Sequence, residues 1–170
     1  LFDALLGTAA WNMLYFDRSY EQRSDRPVSD NVGWLDFTHA ITFAEAAKAL
    51  CEKVPDLWPQ ALLQMACFAG RNSDYVDPHQ DLTSWSVTNA DAFFTETGYG
   101  LFDHGQFEHI VSCHLVKTWA AARALYQGDP KADWVPDLTA SLNRFFNTPL
   151  KRRHSRRTAR QSLAFVALEG

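Results

Sequence analysis

The sequence predicts an all-α fold, a single compact helical domain of about six or seven helices over residues 1–170. Apolar residues recur at steps of three and four along most of the chain, which is the spacing of one helix face. No segment shows the apolar–polar alternation of a half-buried strand, and no internal repeat is present. The 170 residues are about the length of one domain, and 46% of them are hydrophobic, enough to form a core.

The first half of the chain contains the strongest helix prediction. A helix is expected over 1–16, then a charged, proline-containing loop or lid over 17–33. The strongest helix prediction follows over 34–54, because Asp36 can cap its N-terminus and its many alanines are good helix formers. Its apolar positions form two stripes, one of Phe37, Ile41, Ala44 and Ala47, the other of Phe43, Ala46 and Leu50. We therefore expect this helix to be packed from two sides.

The remaining helices are bounded by capping residues, glycines and prolines. A helix begins at Asp56 and ends at Gly70, and a polar loop over 71–87 precedes a short helix over 88–97, which Gly98 ends. The longest periodic run, 103–127, ends at Gly128. Helices are also expected from Pro136 to residue 146 and over 150–168. The runs 34–54 and 103–127 should form the central packed pair, because both are apolar on more than one side.

The charge is unevenly distributed. The formal net charge is −4, yet residues 151–170 carry six bases against one acid, which leaves −9 on the rest of the chain. The negative charge of residues 1–150 argues against a nucleic-acid partner. The basic stretch 151–160 is either a solvated helix face or a surface that docks on a protein partner or a phosphate.

The cysteines and the apolar runs indicate in which cellular compartment we expect the protein. Cys51, Cys67 and Cys113 are widely spaced without a CxxC, so we expect buried free thiols in a reducing, cytoplasmic setting. No apolar run is long enough to span a membrane. The first residue is Leu, and we expect a chain truncated at the N-terminus or part of a longer protein.

Common catalytic and cofactor motifs are missing. The sequence contains no GxGxxG, GxxxxGK[ST], GxSxG or HExxH, so dinucleotide binding through a Rossmann fold has no support and cofactor-binding residues stay unknown. Histidines on helices are the remaining candidates. His39 falls on an apolar stripe, where an unpartnered imidazole costs about 1–3 kcal/mol. It is either a core histidine bonded to a carbonyl or hydroxyl, or a catalytic residue.

A second group of polar residues begins the longest periodic run: His104, Glu108, His109, Cys113, His114 and Lys117. His109 and Cys113 share a helix face, so His109, Cys113 and His114 are candidate metal ligands if another helix, for example through His39, contributes. The alternative is a helix flank that is histidine-rich by chance. Lys117 either binds an anionic or carbonyl group or packs its stem on Trp119.

Two segments resemble a known family. Residues 38–50, THAITFAEAAKAL, and 108–111, EHIV, with Lys117 downstream, resemble the questin-oxidase-like proteins, whose helical region also occurs fused to Rieske ferredoxin domains in bacteria. The match covers about 25 of the 170 residues and departs in the histidine-to-lysine spacing. It implies oxygenative, Baeyer–Villiger-like cleavage of aromatic ketones, with NADPH as cofactor and His39 and His109 in the site.

Two functions are therefore expected. The leading one is an oxidoreductase-like helical domain acting on aromatic or quinone-type ketones, with His39, His109 and Lys117 as catalytic residues. His39 and His109 should then meet in the core, with Lys117 or His114 at the mouth of a pocket for a small aromatic molecule. The alternative is a non-catalytic accessory or interaction domain of a larger redox or membrane-associated assembly.

Overall fold

The computed structural model describes residues 1–22, 32–101, 108–150 and 154–168, and within them the chain is mostly helical and has no strand. The helices are α1 (Phe2–Leu14), α2 (Ser19–Gln22), α3 (Trp34–Cys51), α4 (Trp58–Ser73), α5 (Ala90–Leu101), α6 (His109–Gly128), α7 (Val135–Phe146) and α8 (His154–Leu168). These eight helices exceed the expected number by one because the short α2 lies in the segment predicted as a loop. Over the same residues no strand forms, only an isolated bridge between Phe16 and Val76.

The α3–α6 pair lies at the centre, as predicted, and α1 and α7 form an equally extensive contact. The start of α3 is fixed by Asp36, whose carboxylate accepts a hydrogen bond from the Gly33 backbone N–H at 2.9 Å. The stripe that begins with Phe37 and Ile41 is buried, as expected.

The second predicted stripe of α3 is only partly covered: Phe43 is half-buried against the core, and the rest of the stripe is exposed. Leu50 is 51% exposed, and Ala46 and His39 are also exposed. The expectation that His39 is a core histidine on a buried stripe is therefore wrong. The exposed apolar side chains of this stripe are Ala46 and Leu50, and a small alanine side chain does not by itself draw a helix face into the core.

Two glycines that were predicted to end helices lie inside them. The helix α4 continues past Gly70 to Ser73, and α5 continues past Gly98 to Leu101. Gly98 is needed for close packing, because a Cβ there would lie 2.6 Å from Cζ2 of Trp119. The Trp119 indole N–H donates to the Phe94 carbonyl at 3.0 Å, so the ring joins α6 to α5.

A buried arginine joins α7 to α1. Arg144 is only 4% exposed, and its guanidinium donates to the Leu14 carbonyl and, at 2.7 Å, to Oε1 of Gln80. Burial lowers the pKa of Arg144 to about 10, which leaves it charged at neutral pH. The guanidinium also lies 5.6 Å from the ring centre of Trp34. No motif or periodicity in the sequence marks this residue as buried.

The last helix, α8, is described over His154–Leu168, and residue 150 is not helical. Its apolar end is solvent-exposed, with Leu163 71%, Phe165 52% and Val166 65% exposed. Residues 151–153 of the predicted basic segment lie outside the described residues. None of the helices described is both long and apolar enough to cross a bilayer.

The three cysteines are free thiols, as predicted, but only Cys51 is buried. Cys67 on α4 and Cys113 on α6 are exposed, because each lies on the outer face of its helix. The expectation that all three are buried is wrong for these two.

Candidate functional site

The two central helices bring two histidines into contact. His39 on α3 and His114 on α6 meet through their Nε2 atoms, which are 3.1 Å apart. Their ring centres are 5.2 Å apart and the ring planes are inclined by 59°. The contact joins residues 75 positions apart in sequence, so it depends on the packing of α3 against α6.

The hydrogen bonds of His114 define where the protons lie. Its Nδ1 is 2.6 Å from the carbonyl oxygen of Ile110, one turn earlier on α6. Because a carbonyl oxygen only accepts, Nδ1 carries the proton, and the Nε2 of the neutral ring is an acceptor. His39 then donates its Nε2–H to this atom. The Nδ1 of neutral His39 is left as a base.

The pair lies at the edge of the α3–α6 interface. His114 is 5% exposed, whereas His39 is exposed to solvent with its Nε2 turned towards His114. The pKa of His39 is lowered by burial of that side of the ring, and further by the charges of Lys117 and His114, while Asp36 opposes the shift. Burial also lowers the pKa of His114, although its bond to Ile110 opposes the shift. Both rings therefore favour the neutral form.

Lys117 and Thr118 extend this group along α6. Lys117 is half-buried, and its positive charge acts on both histidines. Thr118, one turn after His114, is fully buried, and its hydroxyl has no hydrogen-bond partner among the described residues. A buried hydroxyl without a hydrogen-bond partner is energetically unfavourable. The Thr118 hydroxyl is such a group, and it lies in the α3–α6 interface next to His114. We call His39, His114 and Lys117, with Thr118, the histidine cluster.

The structure joins His39 to His114 and not to His109. His109 is the first residue of α6 and is exposed. The buried positions of α6 begin with Val111 and continue through His114 and Thr118, so the inward face passes through 114. The expectation that His39 and His109 meet in the core is therefore wrong about the partner. The spacing of Val111, His114 and Thr118 could have identified His114 as the inward histidine.

The predicted metal ligands do not form a ligand set. No group of three or more His, Cys, Asp or Glu side chains among the residues described is arranged to hold a metal ion. His109 and Cys113 lie on the exposed side of α6, whereas His114 is buried on the inward side, so the three side chains do not converge. His104 lies outside the described residues.

Comparison with known proteins gives no further information. No family model, curated protein or solved structure matches the chain.

Proposed function

We propose that the chain is an oxidoreductase-like helical domain that binds the carbonyl group of an aromatic or quinone-type ketone at the histidine cluster. The observation that carries the proposal is the 3.1 Å contact between Nε2 of His39 and Nε2 of His114. A solvent-accessible imidazole that is held by a second, backbone-anchored imidazole is an arrangement suited to proton transfer. In this proposal, His114 takes the place that the sequence assigned to His109.

Each member of the cluster has a distinct role. His39 takes or returns a proton at Nδ1, and its Nε2–H remains bonded to His114, which stabilises the positive charge that His39 acquires. His114 is a positioning residue, because its bond to Ile110 fixes which nitrogen accepts. Lys117 supplies a positive charge beside the ring pair, where it stabilises negative charge on a carbonyl oxygen. NADPH is implied by the family resemblance alone, and no residue of the chain is assigned to it.

The test measures ligand binding and pH dependence in matched variants. Titration of the protein with 1,4-naphthoquinone or a hydroxyanthraquinone, followed by tryptophan fluorescence quenching, gives the affinity. We expect His39→Gln and Lys117→Met each to weaken binding about tenfold, equivalent to about 1.4 kcal/mol. His109→Gln on the same helix is the control and should leave the affinity unchanged. NADPH oxidation followed at 340 nm with each ketone then tests for turnover.

Two results would contradict this proposal. One is absence of saturable binding of either ketone; the other is equal affinity in the His39, Lys117 and His109 variants. An unchanged circular dichroism spectrum of each variant shows that the substitution has acted on the site and not on the fold.

The exposed end of α8 favours the second candidate, a non-catalytic interaction domain. Leu163, Phe165 and Val166 are more than half exposed, and clustered exposed apolar residues are typical of protein contacts. The test is Leu163→Ser combined with Val166→Ser. If this end is an interaction surface, concentration-dependent association in analytical ultracentrifugation is lost while Tm is unchanged. A lower Tm without any change in association would show that the end stabilises its own domain instead.

A further inference from the structure

A cleft with a volume of about 690 Å³ lies where α1 meets the segment that connects α6 to α7. It is lined by residues of α1 (Asp3, Ala4, Gly7, Thr8 and Trp11) and of 129–137 (Asp129, Lys131, Ala132, Asp133, Trp134 and Asp137). None of them belongs to the histidine cluster. The volume is within the range of about 300–1,000 Å³ that is usual for small-molecule sites.

Two tryptophans line the cleft, the half-buried Trp11 and the buried Trp134, and the ring of each is held by a contact within the protein. The Trp134 indole N–H donates to Oδ1 of Asp3 at 3.2 Å, which joins the α7 end of the cleft to α1. Trp11 stacks on Tyr15 with ring centres 4.7 Å apart. Gly7 lines the cleft between them and contributes no side chain to fill it. The walls are therefore preorganised and aromatic, which limits the ordering cost of binding.

The cleft carries an excess of negative charge. Its four carboxylates, Asp3, Asp129, Asp133 and Asp137, face one cation, Lys131. No ion pair among the described residues includes any of these carboxylates. Asp137 is half-buried, and burial raises its pKa, so a cation bound beside it would stabilise its carboxylate form. Negative charge that no protein cation neutralises favours a positively charged ligand.

We propose that this cleft binds an organic cation, a small molecule with an alkylammonium or quaternary ammonium group. The face of an indole attracts such a cation through the ring quadrupole, and the neighbouring carboxylates add a charge attraction. A bare divalent metal ion fits less well, since among the described residues no three carboxylates are grouped as ligands. The proposal does not depend on the ketone site, because the two share no residue.

The experiment compares a cation with its neutral isostere. Choline and 3,3-dimethyl-1-butanol have nearly the same shape, and only choline is charged. Each is titrated into the full chain and followed by the NMR shifts of the tryptophan indole N–H groups. We expect choline to bind at least tenfold more tightly than the alcohol, with the largest shifts at Trp11 and Trp134. Raising the salt concentration should weaken choline binding.

Variants locate the site. Trp11→Leu and Asp133→Asn should each weaken choline binding at least fivefold, whereas Asp56→Asn, at an exposed acid outside the cleft, should not change it. Asp137→Asn gives a second acidic variant if Asp133→Asn does not fold. Butylammonium, titrated in parallel, shows whether the cleft prefers a primary or a quaternary ammonium. Equal affinity for choline and the alcohol, no saturable shift at either indole, or equal effects of the Asp56 and Asp133 variants would overturn the proposal.

Discussion

Replacing Gly98 by alanine should destabilise the fold, although alanine is the better helix former. Its new Cβ would lie 2.6, 3.2 and 3.3 Å from three atoms of the Trp119 ring. Carbon atoms in contact normally lie about 3.5–4.0 Å apart, so the closest approach is short by about 1 Å. The ring cannot move aside without straining its 3.0 Å bond to the Phe94 carbonyl.

The magnitude follows from two opposing effects. Overpacking against a rigid neighbour lowers the free energy of unfolding by about 1–3 kcal/mol. Exchanging glycine for alanine inside a helix raises it by about 1 kcal/mol. The net expectation for Gly98→Ala is a loss of about 1 kcal/mol, or about 2 kcal/mol if the Trp119 hydrogen bond is also lost. Gly70 supplies the matched control, because it is exposed on α4 and a Cβ there would meet nothing within 4 Å. Gly70→Ala should therefore gain up to about 1 kcal/mol.

Urea unfolding followed by circular dichroism at 222 nm measures both variants. The free energies of unfolding should differ by about 2–3 kcal/mol, with Gly70→Ala the more stable, which corresponds to a Tm difference of roughly 4–12 °C for a domain of this size. If Gly98→Ala is as stable as Gly70→Ala, the contact between α5 and Trp119 is not as tight as described and the reasoning fails.

Two further predictions concern the stability contributed by Arg144 and by the histidine pair. Arg144→Leu should lower the free energy of unfolding by about 2–4 kcal/mol in the same urea assay, because the Leu14 carbonyl and the Gln80 amide lose a charged donor; a loss below 0.5 kcal/mol would contradict the buried bonds. The folded pKa values of His39 and His114 lie below the value near 6.5 of unfolded histidine, so the unfolded chain binds more protons as the pH falls through this range. Stability should be complete above pH 6.5 and decrease below it, and His114→Gln should flatten this pH dependence.

The fold class could be predicted from the sequence because helix periodicity depends on local spacing alone. The buried side of α3 is marked by Phe37 and Ile41, large side chains whose burial dominates the packing energy. The exposed side, which includes Ala46 and Leu50, has a similar apolar composition and misled the prediction. Which of two apolar faces is covered depends on the neighbouring helices, and spacing within one helix does not contain that information.

The site was predicted in part. A contact between His39 on α3 and His109 on α6 was expected, whereas His39 contacts His114, because the pairing depends on the register between the two helices. The hydrogen bond from Arg144 to the Leu14 carbonyl joins residues 130 positions apart, and the cleft proposed to bind an organic cation lies between α1 and residues 129–137. Contacts between residues so far apart in sequence cannot be predicted from the spacing of apolar residues within one helix. These features became visible only when the helices were assembled.

The packing of α1 against α7 has a consequence for the order of folding. The first helix of the chain completes its core contacts, and the Leu14 carbonyl gains its charged donor, only when residues 135–146 are present. During synthesis from the N-terminus, the apolar side of α1 therefore remains without this partner until most of the chain has emerged. Long-range closure of this kind slows folding relative to a helical bundle built from sequential neighbours. Until then, the side of α1 that packs on α7 is available to a chaperone on the nascent chain.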